Sequence, residues 1–134
     1  MKLDFKISNS IIIEKNGISL DIRNGYVLDF FDVDVKKKIA IVALKKDTNS
    51  EFSKKEDSNS VEFLFSDLNY FISKNENDIG AVINEISFTS SNRSEFYGTN
   101  TYESILGEKD FVLINQYSRY IRISAKEVLL IVKN

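Results

Sequence analysis

Two Asn-Gly dipeptides, Asn16-Gly17 and Asn24-Gly25, constrain this chain most, because they punctuate runs in which every second residue is apolar. Asn-Gly reaches positive φ at little cost and so favours the tight turn of a β-hairpin. Period-two alternation belongs to a strand with one buried face. Leu3, Phe5 and Ile7 mark a first strand, residues 11–13 a second, and Ile18, Leu20 and Ile22 a third. Residues 26–35 read as a long fourth strand, so the N-terminal third predicts an antiparallel meander of three or four strands.

Further along, residues 39–44 form an unbroken apolar run, which predicts a central strand covered on both faces. Residues 45–60 contain a single apolar side chain, Phe52, and read as a solvated excursion from one domain. Residues 61–65 restore a strand. Ser66-Asp67 then resembles a helix start, with Leu68, Phe71 and Ile72 at helical spacing. Asp78 reads as the cap of a second short helix, since Ile79, Val82, Ile83 and Ile86 fall at i, i+3, i+4 and i+7. A strand over residues 82–89 competes with that helix. Residues 89–100 are polar, and residues 111–114, 120–124 and 128–132 read as closing strands. The expected fold is mainly β, an antiparallel β-sandwich or strongly curved sheet with one or two short helices, in a single domain over residues 1–134.

Composition agrees. The 134 residues are 43% hydrophobic and 28% charged, enough apolar material for an independent core. The chain lacks cysteine and proline, so disulfide and thiolate chemistry are absent and one common device for blunting sheet edges is missing. Charges interrupt the N-terminal segment at every second position, which argues against a secretory leader. No run approaches the roughly 18 apolar residues of a membrane span. A cytoplasmic protein without membrane contact is expected.

The absence of histidine removes the Ser-His-Asp and Cys-His hydrolytic arrangements, and with cysteine also absent it removes structural zinc. The five glycines are scattered, so no phosphate-binding loop is formed. With 18 basic and 20 acidic residues the net charge is −2, and direct nucleic-acid binding is disfavoured. Carboxylates remain. Strand alternation puts Asp32 and Asp34 on one face near Asp29, but a lone pair offers fewer ligands than a hard cation usually takes. Residues 47–58 depart from a calcium loop, with Phe52 and Ser58 where glycine and glutamate belong. Glu95, Glu103 and Glu108 show no spacing that favours glycoside hydrolysis. No catalytic residue, metal or cofactor is therefore expected.

What remains fits a protein-binding module for a basic partner. Asp29, Asp32, Asp34, Glu51, Glu56 and Asp57 supply carboxylates that can steer a cationic protein. Tyr120 and Arg122 share a strand face with Ser124, with Ile121 and Ile123 facing inwards. They read as an ordinary exposed cross-strand pair, as a platform for bases or, with the chain lacking positive charge, rather as an interface anchor. In size, β-rich build, mild acidity and lack of catalytic groups, the chain resembles the small immunity proteins that bacteria make against polymorphic or contact-dependent toxins. That resemblance implies a cytoplasmic inhibitor of one cognate toxin, often a nuclease, acting by occlusion of its active site. The alternatives are a structural domain that assembles into homo-oligomers and a carboxylate- or hard-metal-dependent enzyme.

Overall fold

The computed structural model describes residues 1–50, 59–74, 78–89 and 110–134. Ten strands and one helical turn follow in order: β1 (Lys2–Leu3), β2 (Lys6–Ser8), β3 (Ile12–Lys15), β4 (Ile18–Asp21), α1 (Ile22–Gly25), β5 (Tyr26–Asp34), β6 (Ile39–Lys46), β7 (Ser60–Ser73), β8 (Ile83–Thr89), β9 (Asp110–Asn115) and β10 (Tyr120–Lys133). Three strands of the expected meander form the small antiparallel sheet β2-β3-β4, while the fourth, β5, joins the larger sheet. At its β3–β4 turn Asn16 and Gly17 both take positive φ, 51° and 81°, as an Asn-Gly hairpin requires. The second Asn-Gly dipeptide instead closes α1. Asp21 caps this turn, accepting from the Asn24 backbone N–H at 3.1 Å and its side-chain amide at 2.8 Å. The chain there passes between two sheets rather than back along its own strand.

The larger sheet is seven-stranded, in the order β5-β6-β7-β10-β9-β8, with β1 alongside β10 in parallel. It curls into a half-barrel. Its two ends approach each other: the Leu28 N–H donates to the Ala81 carbonyl at 3.0 Å, the Gly80 N–H to the Leu28 carbonyl at 2.7 Å, and Val27 bridges Val82. Inside the curl lie Leu28, Ala40, Val42, Leu44, Phe63, Phe65, Ile123 and Leu130, all buried. The small sheet covers this core with Ile13 and Leu20, and Phe5 just before it packs there too. Phe111 stands among Phe63, Phe65 and Phe88, with ring centroids 5.2, 5.0 and 5.7 Å away.

Neither expected helix forms. Residues 66–73 belong to β7, which pairs with β10 from Ser60↔Lys133 to Ser73↔Ile121. Asp67 at φ 52° and a register shift opposite Ser124/Ala125 reset the inward alternation, which is why Leu68 and Phe71 mimic helical spacing. Residues 82–89 follow the competing strand reading as Val82 and β8. Asp78 caps no helix. It is buried, and its carboxylate accepts from the Asn115 amide at 2.7 Å and from Arg119 at 2.6 Å, which ties the β9–β10 turn to this segment.

The first strand divides because Leu3 joins β10 while Ile7 joins the small sheet, with Asp4 and Phe5 between them. Asp4 seals the β10 edge where β1 ends. Its Oδ1 accepts the Leu130 N–H at 2.8 Å, and the Leu130 carbonyl accepts from Lys15 Nζ at 2.6 Å. Lys15 also pairs with Asp4 Oδ2 at 2.6 Å. Partial burial works against the carboxylate's charge, but the Lys15 and Leu130 hydrogen bonds outweigh it and hold the Asp4 pKa below its ordinary 3.8. A carboxyl depressed on folding stabilises fully above its unfolded value and loses that contribution as pH falls through its folded value. Asp4→Asn should therefore flatten the acid limb of stability below about pH 4, as measured by urea midpoints in a pH series. An acid limb identical to wild type would remove Asp4 from that role.

Candidate partner-binding face

The side chains of β5, β6, β7 and the C-terminal half of β10 that turn away from the core form the candidate site. Register aligns them in rows across the strands. Phe30, Ala43, Glu62 and Ile131 make one row, and Asp32, Ile41, Leu64 and Leu129 the next. Asp34, Ile39, Ser66 and Glu127 make the third. With strands about 4.8 Å apart, the four strands span about 14 Å from the first to the last. Phe30 is 41% exposed, Leu129 36% and Ile131 37%, while Ile39, Ile41 and Leu64 are half-buried. The face is thus apolar along its central row from Ile41 to Leu129, with Glu62, Ser66 and Glu127 in the rows on either side.

This arrangement corrects the expectation that residues 39–44 are covered on both faces. The strand is central, with Ala40, Val42 and Leu44 in the core and Ala43 also buried, but Ile39 and Ile41 are only half-buried on the other side. A continuous apolar run reads the same whether its second face meets protein or is left for a partner.

Acids line one margin of this face. Asp32 and Asp34 are exposed on the same side of β5, as alternation predicted, and Asp29 sits at the bulge between Leu28 and Phe30. Lys45 Nζ lies 3.8 Å from Asp29, an exposed contact that contributes little. Asp34 also ends the strand, because its Oδ1 accepts the Lys37 N–H at 3.0 Å. Lys36 and Lys38 therefore lie in the turn after β5. On the far side Lys133 pairs with Glu62 at 2.8 Å. Glu51, Glu56 and Asp57 lie outside the described residues, as do Glu95, Glu103 and Glu108.

Tyr120 and Arg122 do not belong to an exposed surface, and that expectation is corrected. Tyr120, Arg122 and Ser124 do share a strand face, yet all three are buried. β10 runs between β7 and β9 there, and Tyr120 packs with Val112, Ile114 and Ile72 in a second small cluster. Arg122 Nε donates to Asp110 Oδ2 at 2.7 Å, with side chains 0% and 1% exposed. The Tyr70 hydroxyl donates to the same oxygen. Burial, and then the bond to the Asp110 carboxylate, push the Tyr70 phenol above its ordinary pKa. Burial opposes the Arg122 charge, but Asp110 more than offsets it and raises that pKa as well. Nothing in the spacing of Asp110 and Arg122 marks them as partners, since their pairing depends on strand register.

An open groove of about 560 Å³ between the N-terminal segment and the β3–β4 hairpin is lined by Asp4, Lys6, Glu14 and Lys15. Two of those charges are already committed to Leu130. Among the described residues no group of three or more acidic, His or Cys side chains comes together that could hold a metal ion. No helix among them is long and apolar enough to cross a membrane. The chain matches no family model, no curated protein and no solved structure.

Proposed function

We propose that this protein is a non-catalytic binding module for a basic protein partner, and within that class a cognate inhibitor of the immunity-protein type that occludes a toxin such as a nuclease in the cytoplasm. One observation carries the reading: a half-exposed apolar face whose margin is lined by the exposed carboxylates of Asp32 and Asp34 and by Asp29. Apolar side chains on such a face supply contact area, while carboxylates at its rim set the partner's charge and the speed of encounter.

The test is capture with the tagged protein from its own host's lysate, followed by binding kinetics with the retained partner. A basic partner is expected, and one equivalent of this protein should suppress its activity. The double variant Asp32→Lys/Asp34→Lys should slow association about tenfold or more at low salt and flatten its salt dependence. Unchanged association would remove both residues from the interface. A partner whose activity survives saturation would overturn the inhibitor reading.

A further inference from the structure

The margins of the large sheet are not treated alike. Along β8 the Ile86 N–H donates to the Ser10 carbonyl at 2.7 Å, and the Asn84 carbonyl accepts from Arg23 at 2.8 Å. Beyond the short β1, Asp4 and Lys15 take both backbone groups of Leu130. The start of β5 is closed by residues 80–82. Residues 30–34 differ: their backbone pairs with β6, and no hydrogen bond from the described residues reaches their other side. In an antiparallel strand alternate residues turn their N–H and C=O groups to opposite sides. A short row of donors and acceptors without a partner among the described residues therefore faces outwards beside Phe30, Asp32 and Asp34.

We propose that this β5 edge takes an extended segment of the partner as an added strand, with Lys or Arg at alternate positions of that segment. The proposal rests on the binding-module reading and specifies how the partner docks. Main-chain hydrogen bonds supply the attachment in strand addition, and alternate side chains supply the selection. Asp32 and Asp34 are about 6.8 Å apart along one side of the strand, the separation of basic residues at i and i+2 in an added strand. An apolar residue in the same alternation would cover Phe30.

A second copy of this chain suits the same edge less well. Pairing β5 with itself about a two-fold axis at Asp32 or at Val33 brings carboxylates opposite each other, and directly opposed like charges destabilise a strand pair. Both of those registers are thus disfavoured for self-pairing, while a strand of the other sign meets no such repulsion.

The probe is a nine-residue peptide alternating Lys with Val and Thr, titrated into the full chain while amide hydrogen exchange is followed residue by residue. The outward amides within residues 30–34 should slow by about tenfold at saturation. The same peptide N-methylated on its pairing edge keeps every charge but should give no protection. Asp32→Lys/Asp34→Lys should abolish the effect of the parent peptide. Equal binding by the N-methylated peptide, or no protection at millimolar peptide, would overturn strand addition. Perturbation confined to Leu64 and Leu129 would do the same by placing the contact on the sheet face. Those results would leave the binding-module reading standing, because capture and inhibition of the natural partner are measured separately. Concentration-dependent protection of residues 30–34 without peptide would show self-pairing and overturn the proposal.

Discussion

Replacing Arg122 with alanine should lower the free energy of unfolding by about 3–5 kcal/mol. The guanidinium is fully buried against Asp110, whose Oδ2 also accepts the Tyr70 hydroxyl. Removing the cation leaves a buried carboxylate with its main counter-charge gone, and the cost of that isolation exceeds the net worth of the original pair. A typical domain is stable by about 5–15 kcal/mol, so the variant should be marginal at room temperature. Urea unfolding supplies the test, with a shifted midpoint and an unchanged slope as the expected result. A second variant separates isolation of the charge from loss of packing. Asp110→Leu with Arg122→Met withdraws both charges at similar volume and should recover a large part of the loss. A cost below about 1 kcal/mol for Arg122→Ala would mean that water reaches the pair, as it does at surface bridges.

Phe111→Ala should cost about as much, roughly 3–5 kcal/mol, by a different route. This ring lies beside Phe63, Phe65 and Phe88 at once, directly opposite Phe88 in the β8–β9 pairing. Its removal forfeits the transfer energy of a buried ring and leaves a cavity that three stiff aromatic neighbours cannot easily fill. Phe30→Ala is the matched control. Phe30 is 41% exposed on the outer face, so its loss should cost roughly 1 kcal/mol or less. The two variants should also separate in binding, with Phe30→Ala impaired towards the partner while still fully folded. Equal destabilisation by both would contradict the assignment of Phe30 to an open face.

Alternation and turn chemistry determined a large part of this fold directly. The β2-β3-β4 meander, its Asn16-Gly17 hairpin, the long strand at β5 and the shared side of Asp32 and Asp34 all follow from local spacing and from which residues tolerate positive φ. Local information failed where long-range pairing resets it. Leu68 and Phe71 look helical because a bulge opposite Ser124/Ala125 shifts which side of β7 faces the core. The Asn24-Gly25 turn became α1 because the chain there changes sheets.

The candidate site divides along the same line. That Asp32 and Asp34 lie together is a property of two residues on one strand, and periodicity determines it. That Leu64, Leu129 and Ile131 lie across from them is decided by the register of three further strands. Burial was likewise decided only in three dimensions. An Ile-rich run does not state whether its second face is covered, which is how Ile39 and Ile41 came to lie on an open surface. An arginine between isoleucines does not state whether an aspartate waits beside it, and the pairing of β9 with β10 put Asp110 within reach of Arg122. Spacing along one strand fixes which side a residue takes, but what it meets there depends on contacts between strands far apart in the chain.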